Sequence, residues 1–315
     1  MIEIKNVTKS FGELTAVDDL SLEVGEGELY GFIGPNGAGK STTMKVLCCL
    51  LRPTSGSAKV CGFDVAKDGD QIRRALGYMP DFLGVYDDLT VDEYLQFFAA
   101  AFNVPRKRRR SVIDAVLELT NLNEKRHALV SSLSRGMTQR LGVARVMIHE
   151  PKVLLLDEPA SGLDPRARIE MRTLLVQLRD MGKCLMVSSH ILSELAEMST
   201  SIGIIERGQL LYTGSIQDAY EKVRTGERLA ITLEPAGGQD APTPEHVTGL
   251  LEADARVMSV AAEGARLMVE LRPEERSHHF VLEMLIRAGA RIASFEPKGV
   301  NLEDAFLRLT KGAVQ

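Results

Sequence analysis

The stretch Gly34-Pro35-Asn36-Gly37-Ala38-Gly39-Lys40-Ser41-Thr42 decides how this chain is read. A glycine, four residues and then Gly-Lys-Ser is the pattern of a loop that folds its backbone N–H groups onto phosphate oxygens, provided a strand precedes it and a helix follows. Both are expected. Residues 29–33 read as a short buried strand, and residues 42–51 read as an apolar helix that Pro53 and Gly56 terminate. In that setting residues 34–42 would hold a nucleotide. The helix N-terminus adds a favourable dipole, Lys40 reaches the β- and γ-phosphates, and the Ser41 hydroxyl is a ligand for Mg²⁺. A plain glycine-rich turn would leave Lys40 and Ser41 unexplained.

A second chemical site lies downstream, where the apolar run 153–156 ends in Asp157-Glu158-Pro159. Four apolar residues are too few for a stable helix and suit a central strand buried on both faces. Paired acids at a strand end are often merely solvated. Sharing a chain with the phosphate loop, they suit other work: Asp157 holding Mg²⁺ through water and Glu158 polarising the attacking water.

Between these two sites lies Leu133-Ser134-Arg135-Gly136-Met137, and here the sequence resembles the ATP-binding cassette family, whose signature is Leu-Ser-Gly-Gly-Gln. The order of motifs carries the resemblance. The phosphate loop is followed by Tyr78 to Asp81 in the place of the glutamine loop, then the signature, the strand ending at Glu158, a Ser161 to Asp164 loop and His190 after an apolar strand. The likeness spans residues 1–220. It implies a P-loop NTPase cassette, with a RecA-like α/β core, an antiparallel β subdomain and a helical subdomain over about residues 86–149. It implies ATP and Mg²⁺ as ligands, and a homodimer with two nucleotides sandwiched between subunits. Ser134 and Gly136 would then contact the γ-phosphate held by the partner, His190 would be the switch histidine that senses γ-phosphate, and Asp164 would belong to the nucleotide seam. Phe11 would stack on adenine, the alternative being a core phenylalanine before Gly12. Taken alone, His190 reads as a satisfied polar residue at a strand end.

Two departures from the family pattern stand out. Asp81 occupies the glutamine position, where a carboxylate still accepts from metal-bound water but is shorter and adds negative charge. Arg135 and Met137 replace a Gly and the Gln of the signature; Arg135 either adds a phosphate contact or points to solvent, and solvent is the favoured reading.

Beyond residue 220 the composition changes, and residues 221–315 read as an accessory or regulatory α+β domain. Strands near 229–233, 257–261, 266–271 and 291–295 alternate with helices near 244–251 and 275–288 in the ferredoxin-like order β-α-β-β-α-β. The ending Asn301-Leu302-Glu303-Asp304-Ala305-Phe306-Leu307 resembles export-type cassette subunits, which pair with a separately encoded permease; Leu302, Ala305, Phe306 and Leu309 equally form the apolar face of a docking helix.

Bulk properties narrow the choice. A length of 315 residues suits two domains, and 38 basic against 43 acidic residues give a net charge of −5, so no nucleic acid is expected as partner. The basic run at residues 106–110 reads as a solvated helix start. No apolar run approaches the ~20 residues that span a bilayer, so membrane work needs a partner and the chain is expected at the cytoplasmic face of the membrane. The four cysteines lack metal-ligand spacing and fit a reducing compartment. A cassette acting on ribosomes would usually carry two phosphate loops, one acting on chromosomes a long heptad insertion, and a non-hydrolysing regulator would typically lose Glu158. The expectation is an ATP-hydrolysing subunit that energises export through a permease.

Overall fold

The computed structural model describes residues 1–84, 86, 88–218, 228–234, 242–272, 274–275 and 277–298. Two compact units divide the chain, Met1–Ile216 and Gln217–Gln315.

The first unit opens with β1 (Ile2–Phe11), β2 (Leu14–Val24), β3 (Leu29–Ile33), α1 (Lys40–Leu47), β4 (Ser55–Val60), β5 (Phe63–Asp64), α2 (Gly69–Ala75) and β6 (Leu76–Met79). It continues through α3 (Val91–Ala101), α4 (Arg106–Leu119), α5 (Arg135–Met147), β7 (Val153–Leu156), α6 (Pro165–Asp180), β8 (Cys184–Ser189), α7 (Leu192–Ala196), β9 (Ser201–Glu206) and β10 (Gln209–Ser215). β1 and β2 alternate buried and exposed residues and pair with β4 and β5 in an antiparallel sheet of order β2-β1-β4-β5. Such a sheet keeps one face wet. β3, β7 and β8 are buried along their whole length and lie inside a second sheet of order β10-β9-β3-β8-β7-β6. There β6, β7, β8, β3 and β9 run parallel, and β10 adds an antiparallel edge. One apolar cluster joins the two sheets around α1, with Ile2, Ile4 and Leu20 facing Phe32, Met44 and Leu155.

This strand order positions the site. β6, β7, β8 and β3 are consecutive neighbours and parallel, so the segments that leave their carboxyl ends emerge side by side along one edge, where open α/β sheets bind ligands.

The helix after the phosphate loop is shorter than its apolar residues suggest. It starts at Lys40 and ends at Leu47, well before Pro53. Cys49 turns left-handed at φ 61°, and the N–H groups of Leu50 and Leu51 both return to the Lys45 carbonyl at 2.9 and 3.0 Å. Backbone capping, not proline, stops the helix. The capping box expected at Thr90 is present: its hydroxyl accepts from Glu93 N at 3.3 Å while the Glu93 carboxylate accepts from Thr90 N at 2.8 Å. Arg106 to Arg110 open α4, and all but the half-buried Arg109 are exposed.

The second unit contains β11 (Arg228–Leu233), α8 (Pro244–Glu252), β12 (Val257–Glu263), β13 (Arg266–Leu271), α9 (His279–Arg287) and β14 (Ile292–Lys298). The sheet order β12-β13-β11-β14, antiparallel throughout, is the split βαβ arrangement. Leu229, Ile231, Val247, Leu251, Leu267 and Val281 are among the residues of its own core. Helix α9 starts at His279, later than residue 275, and the motif at Asn301 to Leu307, with Leu309, lies outside the described residues.

Candidate nucleotide site

A cavity of about 160 Å³ opens at the carboxyl edge of the parallel sheet, lined by residues 35–42 together with Ala16, Asp81 and Glu158. β3 delivers the loop and α1 receives it. Gly39 is required at the junction: its φ is 109°, and an added Cβ would lie 2.5 Å from the Ala16 carbonyl oxygen. Strand β2 therefore closes the loop from above, and Ala16 lines the cavity although nothing in its sequence context signals that.

Lys40 is buried beneath the loop. Its Nζ donates to the Gly34 carbonyl at 2.6 Å and the Pro35 carbonyl at 3.2 Å, and lies 3.4 Å from Glu158 Oε1. The other Glu158 oxygen is 2.8 Å from His190 Nδ1. Glu158 is thus flanked by the two groups that the sequence singled out, one from the start of α1 and one just past the end of β8. It is 9% exposed, and its Oε1 is buried without a hydrogen bond.

Glu158 is held in an unusual backbone conformation, φ 51°, which costs a non-glycine residue about 1–2 kcal/mol. Ser188 anchors it. The Ser188 hydroxyl accepts from Glu158 N at 2.9 Å and donates to Asp157 Oδ1 at 2.6 Å, and Ser188 is fully buried. Asp157 is 2% exposed and lies behind the cavity lining, whereas Glu158 and Asp81 face the cavity. Burial raises the Tyr78 hydroxyl above its ordinary range, with the Asp157 and Asp81 charges adding to the effect. Behind His190, burial pushes the Glu194 carboxyl up, and Arg168 at 3.0 Å opposes the shift.

Residues 17–161 match the ABC transporter family. An uncharacterised ABC transporter ATP-binding protein of Bacillus subtilis, YhcH, is 34% identical over 98% of this chain and 96% of its own length. The chain belongs to the ABC transporter ATP-binding proteins. The Nod factor export ATP-binding protein I of Burkholderia orbicola is likewise 34% identical, over 100% of this chain and 98% of its own length. Among solved structures, a dimeric post-hydrolysis state of the cassette MJ0796 bound to ADP and Pi covers 69% of this chain and 99% of its own, with 25% identity and a TM-score of 0.62.

As a member of this family the chain is an ATPase that uses ATP with Mg²⁺. The cassette's residues fit those ligands. Glu158, whose Oε1 is ion-paired with Lys40 and makes no hydrogen bond, lines a cavity formed largely by the phosphate loop, and Ser41 and Asp81 in the same lining are the oxygen ligands that Mg²⁺ prefers.

Not every expected residue reaches this cavity within one chain. Phe11 ends β1, is 46% exposed and carries the Lys9 ammonium 4.8 Å above its ring; it is not a core residue. Ser134 is an exposed N-cap of α5, accepting from Met137 N at 3.3 Å, and Asp164 is the N-cap of α6, accepting from Ala167 N at 2.9 Å. Gly136 is buried under Ala167. Arg135 is exposed, as the solvent reading has it, and its guanidinium lies across Gly162, which is itself exposed. A guanidinium packs well by its flat face where no side chain intervenes, and glycine provides that opening.

Proposed function

We propose that this cassette binds Mg–ATP on residues 34–42 and hydrolyses it with Glu158 as general base, His190 as orienter of that carboxylate and Lys40 as the phosphate-binding cation. The observation that carries this reading is the chain of contacts Lys40–Glu158–His190, at 3.4 and 2.8 Å, in which Lys40 and Glu158 line the cavity and His190 backs Glu158. Lys40 now lies against Glu158. A triphosphate drawing Lys40 onto its oxygens would free one carboxylate oxygen to take a proton from water, while His190 holds the other. Mg²⁺, when bound, neutralises charge between the β- and γ-phosphates; Ser41, Asp81 and Asp157 are the residues assigned to hold it. Phe11, exposed at the end of β1, is assigned to adenine.

Ser134, Gly136 and Asp164 are assigned to the nucleotide of a second copy, in a head-to-tail homodimer. The support is that Ser134 and Asp164 are exposed at the starts of two helices whose N-termini favour anions. The cassette is further assigned to a separately encoded transmembrane permease at the cytoplasmic face of the membrane, a reading supported by relatives that are themselves named ATP-binding proteins of transport systems. Among the described residues no helix is long and apolar enough to cross a membrane. Export is favoured by the Nod factor export relative, which aligns along the whole chain, second unit included. Residues 1–220 are assigned to the cassette and 221–315 to a regulatory domain.

The test is Glu158→Gln in the full chain. Slow turnover with an ATP-stabilised dimer is expected by gel filtration; a monomer at saturating ATP refutes the sandwich.

A further inference from the structure

The start of α5 and the loop at residues 161–164 are packed against each other. A Cβ added to Gly136 would lie 2.7 Å from the Ala167 Cβ in the first turn of α6. One residue earlier, a Cβ added to Gly162 would fall 2.5, 2.6 and 2.8 Å from Cζ, Nη2 and Nη1 of Arg135. Three atoms at nearly one distance mean that the plane of the guanidinium, not one N–H edge, covers the glycine. Gly162 sits at φ 66°, in the left-handed region that any side chain strains. Among the described residues Arg135 makes no ion pair or hydrogen bond, so this planar contact is what orients it.

The contact joins two parts of the proposed dimer that face different nucleotides. On one side Ser134, the neighbour of Arg135, faces the partner's nucleotide. On the other, Ser161 donates its N–H to the Glu158 carbonyl at 3.1 Å, which ties the loop to the residue that acts on the chain's own nucleotide. We propose that Arg135 is a positioning residue that couples the two nucleotide sites, carrying a displacement of the Ser134 turn into the 161–164 loop and so to Glu158. The inference rests on the head-to-tail dimer proposed above. The buried seam where Gly136 meets Ala167 makes the transfer possible, because close-packed groups move together, and the exposed Arg135 lays its guanidinium across Gly162 beside that seam.

The experiment is a cycle of Arg135→Ala, Arg135→Lys, Gly162→Ala and the Arg135→Ala/Gly162→Ala double variant in the full chain. Turnover, half-saturation, the Hill coefficient for ATP and thermal midpoint are read for each. Arg135→Ala and Arg135→Lys should both bring the Hill coefficient to unity and lower kcat roughly ten-fold, within the range that small misplacements produce. Nucleotide affinity should be unchanged, because residues 34–42 are untouched. Gly162→Ala should act alike by evicting the guanidinium, and the double variant should be no worse than Gly162→Ala alone. Rescue by lysine, additive losses, a wild-type Hill coefficient of unity or a change confined to the thermal midpoint would each overturn the inference. Arg135→Ala in the Glu158→Gln background separates the two proposals: an ATP-dependent dimer there preserves the sandwich whatever the fate of Arg135, and loss of the dimer in Glu158→Gln alone removes both.

Discussion

Ser188→Ala is the substitution whose consequence can be worked most directly from the geometry. The hydroxyl is fully buried and makes two bonds, accepting from Glu158 N at 2.9 Å and donating to Asp157 Oδ1 at 2.6 Å. Alanine removes both and leaves a buried N–H and a buried carboxylate oxygen unpaired. An orphaned buried group costs about 1–3 kcal/mol, more when charged, so the pair should cost roughly 3–5 kcal/mol in stability, less if a water enters from the cavity. The second effect is on function. Glu158 stays at φ 51° only while its surroundings hold it there, and without the Ser188 anchor its carboxylate drifts from His190. Turnover should fall by roughly 10²-fold, the loss expected for a displacement near 1 Å, with KM for ATP little altered. The chain has no tryptophan, so unfolding is best followed in urea by circular dichroism beside a steady-state phosphate-release assay. A variant within about 0.5 kcal/mol of the parent, the scatter of ordinary surface changes, and with kcat unaltered would show that Ser188 anchors nothing.

Other substitutions test the remaining contacts. Lys40→Ala should weaken ATP binding roughly ten- to a hundred-fold, the worth of one charge-assisted contact, by calorimetry; unchanged affinity would mean the loop is not the site. Asp81→Gln, which restores the family residue on the cavity wall, should shift the Mg²⁺ concentration for half-maximal turnover, and an identical Mg²⁺ titration removes Asp81 from the metal. His149 stacks on Phe102 at 4.2 Å with Nδ1 buried and unbonded, and burial pushes its imidazole below the ordinary value. The unfolded chain therefore takes up a proton that the folded chain refuses, so His149 lowers stability as the pH falls through about 6.5. His149→Phe keeps the stack and should flatten the decline in urea midpoint between about pH 7.5 and 5.5; an unchanged slope assigns the acid sensitivity elsewhere.

The sequence by itself determined the elements whose chemistry is local. The phosphate loop was legible because consecutive residues must meet one backbone requirement, β7 because an apolar run of four can only be a buried strand, and α3 because Thr90 and Glu93 complete their capping box within one turn. Likewise the order of motifs from Gly34 to His190 pointed to the family before any contact was known. What tertiary structure alone decided are the contacts across strands and between helices. Ser188 lies 30 residues from Glu158, and only the parallel register of Leu156 beside Val187 brings its hydroxyl under the Glu158 N–H. Ala16 over Gly39, and Arg135 across Gly162, depend in the same way on how β2 folds over the loop and how α5 meets α6. Even the end of α1 escaped the sequence, because backbone carbonyls capped the helix at Cys49 and no side chain announced it. Spacing along a chain records which residues share a turn or a strand face; which residues touch across the sheet is set by strand order and packing, which one-dimensional periodicity does not encode.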